Sequence, residues 1–360
     1  MGVVLGDPQA PFAAVMKLLA GELGSDGMLR GELISIGDHF DYDLTAPDVS
    51  RAEGLRVLRW LAAHPPEQVQ LLIGNHDAAR VIELALVSDR EFAEARELAW
   101  SIEATKRSEG RAAAKQRERT EFEPRFPTIS TYGLVARDYA SFSVEQRDLV
   151  VELMLAGRFY LALTGTLPDG RDVLLTHAAV TERELVQLAV PARPATIAAA
   201  LEQLLGDAIA ARRNDWQRGA ITPLSLEPVS QGGVPGEEAG GLLAHRPSNP
   251  DRPGADRRWE NAPARPRRFA PRELPIGLTQ VAGHTNHVMC VKELVPWVTP
   301  RAAAARYAGL RTLRASPVEI IYDLGVLPPA DGVADLILVD GELRDPYNRA
   351  ELLKIQAARR

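Results

Sequence analysis

The chain has 360 residues, 46% of them hydrophobic and 25% charged, with a formal net charge of −6. A length of this order fits two ordinary domains or one large α/β unit with insertions, and buries enough surface to hold a core without disulfides or a structural metal. The single cysteine, Cys290, excludes an internal disulfide framework and a Cys-rich zinc module; the net acidity offers no general attraction to nucleic acid, and no run of about 18 apolar residues is present to span a membrane. The start, MGVVLGDPQAP, has no basic segment ahead of a long apolar run, so a cytoplasmic location is expected. Arginine greatly outnumbers lysine and Ala and Leu abound, a bias of GC-rich bacterial coding.

Short apolar runs and helical patterns alternate at the start. Val3–Leu5 stops at Gly6-Asp7, Leu33–Ile36 at Gly37-Asp38 and Val69–Ile73 at Gly74-Asn75, with helical spacing over Phe12–Leu23 and Ser50–Ala63 between them. Runs this short and cleanly stopped read as strands, and the alternation reads as α/β layering with a largely parallel sheet. Ala78–Gln116 reads as a long, solvated helical insertion or cap, and Ser143–Ala156 as a further helix. Phe159–Thr166 and Val173–Thr176 flank a tight Asp-Gly turn and predict a strand pair. Helices are expected over Glu182–Val190 and Pro194–Arg213, strands over Leu278–Ala282, Val318–Tyr322 and Leu336–Val339, and a polar C-terminal helix over 345–360. Gly219–Arg272 is rich in Pro and Gly, and from His245 onward it carries eight Arg against three acids. No repeat is evident. The reading is one domain over 1–344, with a helical insertion at about 78–158 and a Pro/Gly/Arg-rich loop at about 219–272.

The predicted strands end in polar motifs: Gly6-Asp7-Pro8-Gln9, Gly37-Asp38-His39-Phe40-Asp41, Gly74-Asn75-His76-Asp77, Thr176-His177-Ala178 and Gly283-His284-Thr285-Asn286-His287. In open α/β sheets the ligand crevice lies beyond the carboxyl ends of the strands, so residues far apart in sequence meet there. What meets is a set of Asp, His, Asn and Gln donors suited to divalent Mn, Fe, Zn, Co or Ni. One Asp or Asn after a strand is ordinary turn chemistry; three in succession, followed by His177 and His284, are poorly explained that way.

This ordered series resembles the calcineurin-like metallophosphoesterase superfamily, nearest the phosphoprotein phosphatase and diadenosine tetraphosphate hydrolase branch. Gly74-Asn75-His76-Asp77 is its most specific element, and Ile320–Gly325 followed by Leu336–Val339 looks like the branch's final strand pair. The resemblance implies a four-layered α/β/β/α sandwich and a hydrolase with two divalent metal ions, manganese first among the candidates. It implies that Asp38 bridges the metals, that Asp7 binds the first, and that Asn75, His177 and His284 complete the second. A hydroxide held between the metals would attack phosphorus in line. His76 would protonate the leaving group as general acid, with Asp41 as its hydrogen-bond partner. The expected substrates are a phosphorylated small molecule, a nucleotide or a phosphoprotein, cleaved at a phosphomonoester or phosphoanhydride bond.

Several positions depart from the family pattern. Gln9 stands where Asp-x-His is usual, which leaves the first metal a neutral amide oxygen. Asn286 replaces the final His of Gly-His-x-His, and His287, one residue later, reaches a metal only if the loop bulges. Tyr42 follows Asp41 where the branch has Arg, so phosphate contact passes to Arg246, in a segment resembling the one that supplies a further Arg; a solvated loop Arg is the alternative. His39 reads as a bystander near the site, His64 as a surface helix terminus, His245 as solvated and Cys290 as a buried inert thiol. Arg257, Arg258 and Trp259 invite a nucleic-acid reading, with a solvated flap or lid preferred. Two other functions stay open: a non-catalytic binding or scaffold protein of the same fold, and a phosphodiesterase or nuclease.

Overall fold

In a computed structural model that describes residues 2–43, 45–252, 266–345 and 350–357, the apolar runs that stop at glycine become strands whose ends carry the polar motifs. In chain order the first elements are β1 (Gly2–Leu5), α1 (Phe12–Leu18), β2 (Leu33–Ser35), α2 (Pro47–Ala62) and β3 (Val69–Leu72). A helical stretch follows: α3 (Asn75–Ala79), α4 (Asp89–Glu109), α5 (Arg111–Arg117) and α6 (Val144–Leu155). Next come β4 (Phe159–Tyr160), β5 (Ala162–Thr166), β6 (Asp172–Thr176), α7 (Glu182–Leu188) and α8 (Pro194–Gln217). The chain closes with β7 (Thr279–Ala282), α9 (His287–Glu293), α10 (Pro300–Ala304), β8 (Arg311–Ala315), β9 (Ile320–Leu324), β10 (Ala334–Leu338) and β11 (Leu353–Ala357). Among the described residues, no helix is long and apolar enough to cross a membrane.

The protein is α/β, built on one large mixed sheet in the order β9-β8-β10-β7-β6-β5-β11-β1-β2-β3-β4. Strands β1 to β4 run parallel, as do β6, β7 and β10. β11 joins the two halves, pairing antiparallel with β1 through Leu353–Ile355 and with β5 through Gln356 and Ala357. One buried cluster is drawn from strands of both halves and the residues beside them, including Val4, Ile34, Leu72, Leu163, Leu175, Val281, Ile337 and Ile355. A second packs α1, α2, α6 and α8 on Val3, Leu33, Leu71 and Leu174. A third sets Cys290, Leu294 and Ala302 against Leu313, Tyr322 and Leu336.

The insertion is better packed than its charge predicts. Phe92, Ala95, Ala99 and Ile102 recur at helical spacing on α4 and are buried with Phe122, Phe126, Ile129, Tyr132 and Tyr139. The helix starts at Ser88, whose Oγ accepts from Glu91 N, and stops at Gly110, with φ of 95°. A helix whose inner face finds its own apolar partners is part of a core, so the solvated cap expected over Ala78–Gln116 is corrected.

Three further expectations change. The run Phe159–Thr166 is two strands: β4 pairs with β3, and β5 with β6. The backbone N–H groups of Leu161 and Ala162, at the switch, both donate to Glu202 Oε1, at 2.7 and 3.1 Å. β8 was not predicted, because Arg311 and Arg314 hide its strand character. Among the described residues of 345–360 no helix forms; 353–357 is a strand, with Leu353 and Ile355 buried and Lys354 and Gln356 exposed. That alternation has the period of a strand, and the central position between β11's two neighbours uses it.

Ile355 is fully buried. Ile355→Ala is therefore expected to lower unfolding free energy by about 2–5 kcal/mol, measured by urea denaturation; a change within about 0.5 kcal/mol, as for a surface helix, would contradict the pairing.

Candidate metal centre

Asp7, Asp38, Asn75, His177 and His284 follow the ends of β1, β2, β3, β6 and β7. The turns that carry them are tight. A methyl group on Gly74 would overlap the Asp38 carboxylate, and one on Gly283 would overlap that of Asp7. Asp38, Asp41 and His284 are themselves left-handed, with φ of 60°, 68° and 61°. Side-chain-bearing residues rarely adopt this conformation, and where they do the surroundings hold them in it, commonly at functional sites.

Asp77 does much of that holding. Its Oδ2 accepts from Asp38 N and Gly74 N, both at 2.9 Å, and its Oδ1 from His39 N at 3.1 Å. His39 Nδ1 lies 3.0 Å from the same carboxylate, and His39 Nε2 lies 2.9 Å from Ser35 Oγ. The carboxylate thus ties the loop after β2 to the loop after β3, and His39 is a buried part of this tie.

His177 Nδ1 lies 2.9 Å from the Ile36 carbonyl oxygen, which can only accept, so Nδ1 carries the hydrogen. In the neutral ring Nε2 is then a bare lone pair, yet it faces Asn75 Oδ1 at 3.1 Å, His284 Nδ1 at 3.2 Å and Asp38 Oδ2 at 3.4 Å. Asp38, His177 and His284, all buried, place one ligand atom each within 4.8 Å of the others. Lone pairs that converge in a dry place repel unless a proton or a cation lies among them. The electrostatics agree. Burial works against a charged His177, but the Asp38 carboxylate overcomes it and holds the pKa at about 9. Burial also disfavours the Asp38 carboxylate, yet His177 and His76 depress its pKa overall. His284 is driven well down by burial and then by Arg246 and His177, so it is neutral and free to ligate. Asp7 accepts from His284 N through both oxygens, at 3.1 and 2.9 Å; burial and the neighbouring Asp340 push its pKa well up. The donor set therefore fits a divalent cation. One positive charge would relieve both the facing lone pairs and the crowded carboxylates.

His76 and Asp41 are brought together as the sequence predicts: His76 Nδ1 lies 2.9 Å from Asp41 Oδ2, and its Nε2 lies 3.9 Å from Asp38 Oδ2. Burial lowers the His76 pKa, but Asp38 and Asp41 together raise it above the ordinary value. Tyr139 packs edge-on against the ring, with centroids 5.0 Å apart. Arg246 also comes to the site: its Nε donates to the His284 carbonyl oxygen at 3.3 Å, in a short parallel pairing of Arg246-Pro247 with Arg268-Phe269. Gln9 lies on the segment after β1, and its amide nitrogen is buried with no hydrogen-bond partner among the described residues.

Other histidines are placed elsewhere. His287 is corrected as a ligand, because its Nδ1 lies 2.9 Å from Tyr322 Oη and its Nε2 3.0 Å from the Ala305 carbonyl oxygen, and both ring nitrogens are engaged in the core. The cause is local: Asn286 caps α9, its Oδ1 accepting from Met289 N at 2.8 Å, so His287 begins the helix and turns inward. His245 and His64 are not solvated; they are 2% and 1% exposed, against the Ala179 carbonyl oxygen and the Trp60 carbonyl oxygen. Cys290 is buried as expected, and burial pushes its pKa up to about 11. Arg257, Arg258, Trp259 and Arg265 lie outside the described residues.

The sequence reading assigned no role to Asp77, Arg80, Tyr139 or Ser141. Asp77 stood in the quoted Gly74–Asp77 motif, and Arg80 lies one helical turn beyond His76, so both had a local signal. Ser141 had none: its contact with Asp41 spans 100 residues.

Comparison of the chain with protein-family models, with curated proteins and with solved structures returns no match.

Asp77→Ala is expected to lower unfolding free energy by about 3–5 kcal/mol, since it leaves His39 Nδ1 and three buried backbone N–H groups unpartnered. Thermal or denaturant unfolding measures this, and an unchanged midpoint would show that Asp77 does not hold the two loops.

Proposed function

We propose that the protein is a metal-dependent phosphoesterase of the calcineurin-like metallophosphoesterase superfamily, hydrolysing phosphomonoester or phosphoanhydride bonds. The observation that carries this reading is the convergence of Asp38 Oδ2, Asn75 Oδ1, His177 Nε2 and His284 Nδ1 beside an independent His76–Asp41 pair. The cluster drawn from strands of both sheet halves, with helical clusters besides, supports the four-layered α/β/β/α arrangement.

In this reading Asp38, Asn75, His177 and His284 hold one divalent cation, and Asp7, Gln9 and Asp38 hold a second, with manganese first among the candidates and iron, zinc, cobalt or nickel able to substitute. When bound, the cations supply Lewis-acid polarisation of the phosphoryl group and water acidic enough to ionise near neutral pH. The chain's own groups do the rest. Asp41 fixes the Nδ1 side of His76, so Nε2 presents its proton towards the cluster, where a leaving-group oxygen would take it. Arg246 is anchored through Nε, and its terminal nitrogens, with no hydrogen bond among the described residues, can fork around phosphate oxygens. A phosphorylated small molecule, nucleotide or phosphoprotein all present the group this site would hold. Asn286 and His287 serve α9, which explains the altered final motif without loss of the cluster.

Release of p-nitrophenol from p-nitrophenyl phosphate with Mn²⁺, abolished by a chelator, is the expected outcome. Asp38→Asn should remove it together with most bound metal. His76→Ala should lower turnover by about 100-fold or more on alkyl phosphates, and less on p-nitrophenyl phosphate, whose leaving group needs no proton. A metal-loaded wild type with no release across a phosphate-ester and nucleotide panel would favour a scaffold of the same fold and sink the enzyme reading.

A further inference from the structure

Asp41 sits inside a complete set of donors. Its Oδ2 meets Arg80 at 2.7 Å and His76 Nδ1 at 2.9 Å, while its Oδ1 accepts from Ser141 N at 3.0 Å and Ser141 Oγ at 2.6 Å. Arg80 has no exposed surface. Its other donors reach the His76 carbonyl oxygen at 2.8 Å and Gln146 Oε1 at 3.1 Å, and its guanidinium carbon lies 4.8 Å from the centroid of the Phe40 ring. One guanidinium therefore grips His76 twice, by its backbone and, through Asp41, by its ring. Gln146 also accepts from Ser143 N in the cap of α6, so the last part of the helical insertion is tied into the same network.

We propose that Arg80 is a positioning residue for the proposed proton donor: it clamps the Asp41 carboxylate so that His76 keeps its Nδ1–H on that carboxylate in both the charged and the neutral ring, and Nε2, the nitrogen that gains and loses the proton, faces the metal cluster. The proposal rests on the reading of His76 given above. A buried ion pair adds little net stability over an apolar pair of the same volume. The use of Arg here is better explained by geometry: its planar fork sets one terminal nitrogen on the His76 carbonyl oxygen and the other on Asp41 Oδ2 at a fixed spacing, which the point charge of Lys does not. With the clamp removed, the carboxylate is free to turn towards its two Ser141 donors, and His76 loses its only partner on Nδ1.

The test uses the full chain labelled with ¹⁵N-histidine, with the His76 ring assigned from its absence in His76→Ala. In the wild type, at a pH high enough to make the ring neutral, Nδ1 of His76 is expected to be the nitrogen that keeps its hydrogen. In Arg80→Met the ring should move to a mixture of tautomers, with Arg80→Lys between the two. For turnover, Arg80→Met should lower kcat on alkyl phosphates by about 10- to 100-fold with KM little changed. A folded Arg80→Met whose His76 ring spectrum equals that of the wild type would overturn the proposal. If the Met variant does not fold, wild type against Arg80→Lys decides in the same way: a partial shift supports the clamp and no shift overturns it. The ring experiment is independent of turnover, so a wild type without phosphatase activity would defeat the enzyme reading and leave the clamp to be judged on the spectra.

Discussion

The molecule is organised around a cluster of polar atoms that repel one another unless a proton or a cation lies among them. The Ile36 carbonyl oxygen takes the hydrogen on His177 Nδ1, and Asn75 Oδ1, His284 Nδ1 and Asp38 Oδ2 all face Nε2. Without a cation, the protein meets this conflict by keeping a proton on His177, with a pKa of about 9. A bound divalent ion would meet it better, since it satisfies all four atoms at once. The left-handed backbones of Asp38 and His284, the close glycines and the Asp77 brace all bring those atoms to one point.

Around that cluster lies a second, separately braced element. His76 and Asp41 are positioned by Arg80 and Ser141, and Ser141 belongs to the segment that leaves the helical insertion. The insertion therefore has two effects. Its apolar face makes a core with Tyr139, which borders His76, and its exit supplies donors to Asp41. This links packing in a region far along the chain to the geometry of His76. It also separates the two parts of the site: the cluster is held by strand ends, the His76–Asp41 pair by a helix and a loop.

Much of this was legible in the residues. The strands that stop at glycine, and the Asp, Asn and His that follow them, are local signals, and the structure brings Asp7, Asp38, Asn75, His177 and His284 together. The pairing of His76 with Asp41 was likewise expected, and Arg246, read as a phosphate contact or a solvated loop Arg, lies against the His284 carbonyl oxygen. What escaped depends on tertiary context. β11 was read as a polar helix because Lys354 and Gln356 masked the alternation of Leu353 and Ile355, whose burial needs both neighbouring strands. His287 was a candidate ligand only if its loop bulged; instead the cap at Asn286 starts a helix there and turns the ring towards Tyr322. His64 was read as a surface helix terminus and His245 as a solvated loop residue, whereas each finds a carbonyl partner in the interior that only the tertiary fold supplies.

The most direct measurement is anomalous diffraction at the manganese edge from crystals grown with Mn²⁺. The account predicts a strong peak bounded by Asp38, Asn75, His177 and His284, with a second beside Asp7. Difference maps with neither peak, at a concentration that saturates other manganese sites of this kind, would contradict it.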